Sequence, residues 1–324
     1  AYHAPIYFEV SVNGGTNYYR QFTGVIKIPQ PSGPTAREIS SVSIECRSRD
    51  ELLLQKKLST SQVDFRASSG YDESQLINLW LTQAGVSGAD MVLSPGLYPI
   101  DYAWLDDESP LEEIWALAAA CGGRFYADMD GKYRYESATH WLTNSRSTGA
   151  QETLTEASYE QIKILYDDGD LYNEVTVESS ARYVDTQDVL WEPDEVIFVP
   201  ANSTKKLTAR LRQPAWSIDT ISYSAATSGG QDVTASVSVT SVINAQSVDL
   251  TITNAHATWG AYLRPLKVVG QALAGGPSHE ETRDSATYGS NSAFFTTRGG
   301  RSKRVPGSVY VQSKAHAGAV AEFL

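Results

Sequence analysis

The chain has 324 residues, and its 38 acidic against 26 basic side chains give a formal charge of −12. Hydrophobic residues make up 41% of it, enough to build cores, so it is read as folded, in about two domains on a prior of roughly 150 residues each. The acidity argues against a surface made to grip nucleic acid, because neutralising phosphates takes an excess of lysine and arginine.

From Ile6 to Val12 and from Tyr18 to Ile28, β-branched and aromatic residues recur on either side of Asn13-Gly14-Gly15, which predicts a hairpin. Pro29-Gln30-Pro31-Ser32-Gly33-Pro34 carries three residues without amide donors and is expected as an exposed connection. Ser41 to Cys46 alternates with period two and predicts a half-buried strand. Two helices follow. Asp72 and Gln75 form a capping signal ahead of Leu76, Ile77, Leu79, Trp80 and Leu81, with Gly85 as the stop. Ser109-Pro110-Leu111-Glu112 combines a cap, a first-turn proline and a returning glutamate, and Leu111, Ile114, Trp115, Leu117 and Ala118 form a buried face that ends at Gly122-Gly123. Arg124 to Ala127 and Tyr133 to Tyr135 flank Asp130-Gly131, the signature of a two-residue hairpin turn.

Beyond about Gln151 the pattern is of short alternating runs: Gln161 to Tyr166, Leu171 to Glu178, Val196 to Val199, Lys205 to Leu211, Val233 to Thr240, Val248 to Thr253 and Leu263 to Val269. Glycine, asparagine or proline separates them, which predicts a sandwich or barrel. Lys314 to Leu324 reads as a terminal helix, although Gly318 costs it about 1 kcal/mol. The sequence opens at Ala1 and stops inside this helix, which reads as a piece of a longer polypeptide.

Few residues carry a chemical signature. Cys46 and Cys121 are too few for a disulfide scaffold and read as buried thiols, leaving the redox compartment open. No apolar run approaches the roughly 20 residues of a membrane span and no signal peptide is visible, so the chain reads as soluble. The five histidines, at 3, 140, 256, 279 and 316, have no metal-ligand spacing, and no Gly-x-Ser-x-Gly occurs. No metal, cofactor or catalytic residue is assigned. Asp106-Asp107-Glu108 with Glu112-Glu113 is the densest acidic cluster; two acids about 5 to 9.5 Å apart are what glycoside hydrolysis needs, but acids there also favour the dipole of the helix they precede. Asp128-Met129-Asp130-Gly131 begins like a calcium loop, but Ser137 stands where the bidentate glutamate should fall. Asp167-Asp168-Gly169-Asp170 reads as a solvated turn that could also hold a cation. Arg298-Gly299-Gly300-Arg301-Ser302-Lys303-Arg304 is a basic run expected on a loop tip or hairpin, either solvated or facing an acidic partner or a phosphate. No nucleotide-binding glycine fingerprint accompanies it.

The order of elements carries more than any single residue. Leu111 to Arg134, helix then hairpin, resembles a unit of the phage tail-hub family, the tail-tip or baseplate hubs of tailed bacteriophages, with related hubs in contractile injection systems. Asp170-Leu171-Tyr172-Asn173-Glu174-Val175-Thr176-Val177 is similar to that family's Asn-x-Val-x-Val strand. Leu250 to Ala255 and Leu263 to Gly270 resemble the strand pair of its inserted sandwich. Asp284-Ser285-Ala286-Thr287-Tyr288-Gly289, followed by Gln312 to Leu324, resembles its late strand and alanine-rich helix, while Ala293 to Thr297 and the basic run depart from it.

The resemblance implies a mainly β chain with a small α+β insertion: two hub-type β-barrel domains, a helix-plus-hairpin domain and an inserted β-sandwich. Residues 1–60 would hold the first part of the N-terminal barrel, 61–150 the insertion, 151–195 a β segment returning to the barrels, 196–275 the sandwich and 276–324 the late hub strands and terminal helix. It implies a virion protein of the tail tip: a homotrimer docked on the tail tube or distal tail protein ring, with the tape measure protein and a central spike or fibre protein as neighbours and DNA passing transiently and non-specifically through its channel. An acidic lumen suits such passage, because it leaves phosphates unneutralised. Partner contacts are expected at Arg298, Arg301, Lys303 and Arg304, and at Trp191, Trp216 and Trp259, where the sandwich core is the equal alternative. The competing reading is a carbohydrate-binding module or glycoside hydrolase with aromatic residues stacking on sugars. A receptor-binding tail fibre would show long repetitive β segments, and none is visible.

Overall fold

The structure is a computed structural model that describes residues 4–11, 14–32, 41–60, 63–64, 71–150, 153, 155, 172–284 and 301–323. The expected strand at Gln161 to Tyr166, the turn at Asp167 to Asp170, Ser285 to Gly289 and Arg298 lie outside the described residues. The chain is mainly β, in several sheets that include a curled half-barrel.

The first sheet has the order β1 (Pro5–Ser11), β2 (Tyr18–Ser32), β3 (Ser41–Ser48), all antiparallel. The expected hairpin forms, with Gly14 and Gly15 at φ of 67° and 90°. The proline segment departs from expectation: Pro29 and Pro31 continue β2 and pair with Ile44 and Val42. Among the described residues β2 has a partner only in β3 past Ile26, whose amide still bonds to the Ala4 carbonyl, so the prolines' missing donors break no described ladder bond on the β1 side.

The α+β insertion runs through α1 (Asp50–Leu54), β4 (Leu58–Ser59), β5 (Val63–Asp64), α2 (Glu73–Gln83), β6 (Met91–Leu93), β7 (Tyr102–Ala103), β8 (Asp106–Glu108), α3 (Pro110–Ala120), β9 (Arg124–Ala127), β10 (Tyr133–Glu136), α4 (His140–Thr143) and α5 (Ser145–Thr148). Asp72 caps α2 in a reciprocal box with Gln75, and Gly85 at φ 78° follows its end. α3 starts at Pro110 without a side-chain bond from Ser109, whose hydroxyl is buried. The β9–β10 turn is longer than the expected two residues. Asp128 and Lys132 close it, with the Asp128 carboxylate accepting the amides of Asp130 and Lys132, and Gly131 supplying φ 77°.

The remaining strands are β11 (Glu174–Trp191), β12 (Ile197–Val199), β13 (Ser203–Arg210), β14 (Ala215–Ala226), β15 (Val237–Ile243), β16 (Ser247–Asn254), β17 (Ala261–Asp284) and β18 (Ser302–Ser308), before the terminal helix α6 (Lys314–Phe323). One sheet has the order β12-β17-β11-β18 with β14 also on β17, and a second has the order β13-β16-β15.

β11 and β17 span two cores. At one end Val175 and Val177 join Trp80, Leu81, Leu111 and Ile114 of the insertion and Val320 of α6. At the other, Leu263, Leu266 and Val268 pack with Val248, Leu250 and Ile252 to close a sandwich. Burying such side chains contributes about 1.5–3 kcal/mol each, so each end of the strand pair is anchored by its own apolar contacts. Cys121 is fully buried as expected, whereas Cys46 is only half-buried on β3.

Candidate functional site

The basic run does not form a loop tip where it is described. Arg301 precedes β18, its amide donating to the Asn173 side chain at 2.6 Å and its carbonyl accepting the amides of Asn173 and Glu174. Ser302, Lys303 and Arg304 open β18, which runs parallel to β11. The reason lies in the charges beside them. Glu178 and Glu280 stand directly opposite each other on β11 and β17, an unfavourable like-charge pair, and Arg304 pairs with Glu280 and lies 3.8 Å from Glu178. The Lys303 ammonium sits 5.1 Å from the centroid of the Tyr172 ring.

The three tryptophans are dispersed. Trp191 packs against the sandwich core, Trp216 makes an edge contact with Tyr102 at 6.0 Å between centroids, and Trp259 is 43% exposed while stacking on His256 at 4.6 Å. That last stack sits on a rigid loop, because the buried Asn254 side chain donates to the carbonyls of Val199, Pro200 and Trp259.

Two features that no local pattern announces stand out. The first is the open face of the N-terminal sheet. Alternation along β1 and its register on β2 put Ile6, Phe8 and Val10 beside Gly24, Phe22 and Tyr19 on one face. Phe8 is 59% and Tyr19 51% exposed. The opposite face is anchored to the insertion: Val25 is buried, the Thr23 hydroxyl donates to the Met129 carbonyl at 2.7 Å, and Arg49 reaches the Gly131 carbonyl. Tyr7, also largely exposed on that side, lies under Arg20 at 4.6 Å.

The second is a cleft of about 240 Å³ where the insertion, β11, the sandwich and the approach to α6 meet. Trp104, Glu108, Glu113, Arg182, Gln246 and Tyr310 line it. The Tyr310 hydroxyl donates to Glu113, and burial with that hydrogen bond drives the phenol's pKa up. Burial, then the neighbouring Glu113 charge, raises Glu108 above the usual carboxylate range. Gln312, also in the wall, is committed to the fold: its oxygen accepts the Asp101 and Tyr102 amides, and its nitrogen donates to the Tyr102 and Val309 carbonyls.

A buried polar group lies elsewhere in the insertion core. Glu73 accepts the Leu97 and Tyr98 amides at 2.8 Å each and the Tyr135 hydroxyl at 3.1 Å, while burial raises its pKa. These bonds pin the 97–98 segment to the start of α2, a structural task. Among the described residues no three His, Cys, Asp or Glu side chains are grouped to hold a metal ion, and no helix is long and apolar enough to cross a membrane.

No protein-family model matches the chain, and no curated protein matches it.

Proposed function

We propose that this chain is a structural virion protein, the trimeric hub of a bacteriophage tail tip or baseplate. In that role it joins the tail tube or distal tail ring to the central spike or fibre and lines the channel through which DNA leaves, with no catalytic step of its own. Residues 1–60 and 151–195, together with 276–324, would supply the hub barrels, 61–150 the insertion and 196–275 the inserted sandwich.

The observation that carries the reading is the open aromatic face of β1 and β2. Monomers in water seldom leave a contiguous apolar patch uncovered, and aromatic side chains supply much of the energy of subunit contacts. The Thr23 contact behind β2 and the Arg49 contact beyond β3 tie this sheet to the insertion, which lowers the ordering cost on association. The sequence order of helix, hairpin, Asn-x-Val-x-Val strand and sandwich pair supports the same role, as does a charge of −12 for a passage that DNA crosses without stopping.

Replacing Phe8 and Tyr19 together by serine tests the reading. The variant is expected to keep the parent's circular dichroism and to sediment as a monomer where the parent sediments as a trimer. A parent that is itself monomeric would refute it.

One observation favours a second reading, a sugar-binding or glycoside-hydrolysing chain: Glu108 and Glu113 line the same cleft. Glu113→Gln separates the two, since it would abolish hydrolysis in a glycosidase and leave assembly unchanged in a hub.

A further inference from the structure

The junction cleft holds polar groups that the fold leaves unused. Arg182 rises from β11 with its guanidinium 4.7 Å from the centroid of the Trp104 ring. Its Nε is buried without a hydrogen-bond acceptor, and no carboxylate pairs with it among the described residues. Burial lowers its pKa. Arg182 is only half-buried, so its outer nitrogens reach the cleft, but a buried Nε–H without an acceptor in a native fold calls for an explanation. The Gln246 side-chain amide also lines the cleft without a protein partner among the described residues.

The other groups limit what can fill the gap. Glu113 is fixed by Tyr310 and retains free lone pairs, and Glu108 lies beside it. Two acids in so small a space repel a dianion such as phosphate and accept hydrogen bonds from hydroxyls. The guanidinium fork matches a single carboxylate bidentately. Trp104 gives an apolar wall, and about 240 Å³ is below the roughly 300–1,000 Å³ of sites for drug-sized ligands, so the occupant has the size of one ring.

We propose that this cleft binds an acidic monosaccharide of the uronic acid type, its carboxylate on Arg182 and its hydroxyls on Gln246, Glu108 and Glu113. The site adds a ligand to the hub reading and does not depend on subunit assembly, since every group named belongs to one chain.

Ligand-observed NMR on the full chain tests it, with D-galacturonate as the probe, D-galactose as the uncharged ring and inorganic phosphate as the anion without a ring. D-Galacturonate is expected to bind saturably, at about millimolar affinity, and at least about tenfold more tightly than either comparator. Arg182→Met is expected to weaken it at least about tenfold and Gln246→Ala about threefold to tenfold. If Arg182→Met loses its fold, Gln246→Ala decides, because it removes an amide with no protein partner. Equal binding of galactose, tighter binding of phosphate, no saturable binding of galacturonate, or undiminished binding by Gln246→Ala would each overturn the assignment.

Discussion

Single side chains set the local order of the insertion and its response to pH. Asp72 and Gln75 satisfy amides at the start of α2 in both directions, so Asp72→Ala should cost about 1 kcal/mol in urea unfolding. His316 on α6 is buried, stacks on Tyr98 at 4.6 Å and lies 3.8 Å from the Cys121 sulfur. Its Nδ1 has no partner, and burial lowers its pKa to about 4 from 6.5. The unfolded chain therefore takes up this proton first as pH falls. Stability from this group is intact above about 6.5, declines as pH drops towards about 4, and levels off below, a total of about 3 kcal/mol. His316→Gln should flatten that part of the stability–pH curve by about this amount, and an unchanged curve would refute it. Raised by burial, Glu73 acts in the opposite sense, losing stability as pH rises, so the comparison must be between parent and variant. The Asp72 cap was legible because both partners lie within one helical turn. His316 was not, because Cys121 and Tyr98 reach it only through the fold, and Arg182 and Gln246 meet in their cleft for the same reason.

At the scale of elements, β11 and β17 tie the insertion to the sandwich. Period-two alternation found the first part of each strand, Leu171 to Glu178 for β11 and Leu263 to Val269 for β17, but not their length. Between the cores β11 passes through Arg182 to Asp188, mostly exposed and polar, where no apolar rhythm marks a strand. β17 crosses Gly275-Gly276-Pro277, which reads as a break. It continues because the ladder shifts register there, Ser180 pairing with Ser278 and Arg182 with Gly275, and a bulge accommodates the proline. The same limit hid β18: Gly299-Gly300 ahead of it suggest a loop tip or hairpin, and only β11 and β17 supply Glu178 and Glu280 for Arg304 to pair with. Gly270 is the most tightly enclosed of the described glycines of the long sheet, flanked by Asp188 of β11 and Ile218 of β14, and a Cβ there would overlap the Ser217 carbonyl. Gly270→Ala should destabilise by at least about 2 kcal/mol in thermal unfolding. Gly88→Ala, with open space around the added methyl, should stay within about 0.5 kcal/mol. Equal effects would show that the β14–β17 contact does not limit stability.

For the whole molecule, the central claim is assembly. Ile6, Phe8 and Val10 alternate as any core strand would, so the sequence could announce an apolar face but not that the chain itself leaves it open. The acidity has a consequence that binding can check: duplex DNA should show no retention by the chain at about 150 mM salt, and tight, salt-dependent binding would contradict the channel role. The most direct measurement is the mass and symmetry of the full chain in solution, by sedimentation together with electron-microscopic class averages. Three copies of the 35.3 kDa chain, about 106 kDa, are expected in a threefold ring. A folded monomer that stays near 35.3 kDa at high micromolar concentration would contradict it.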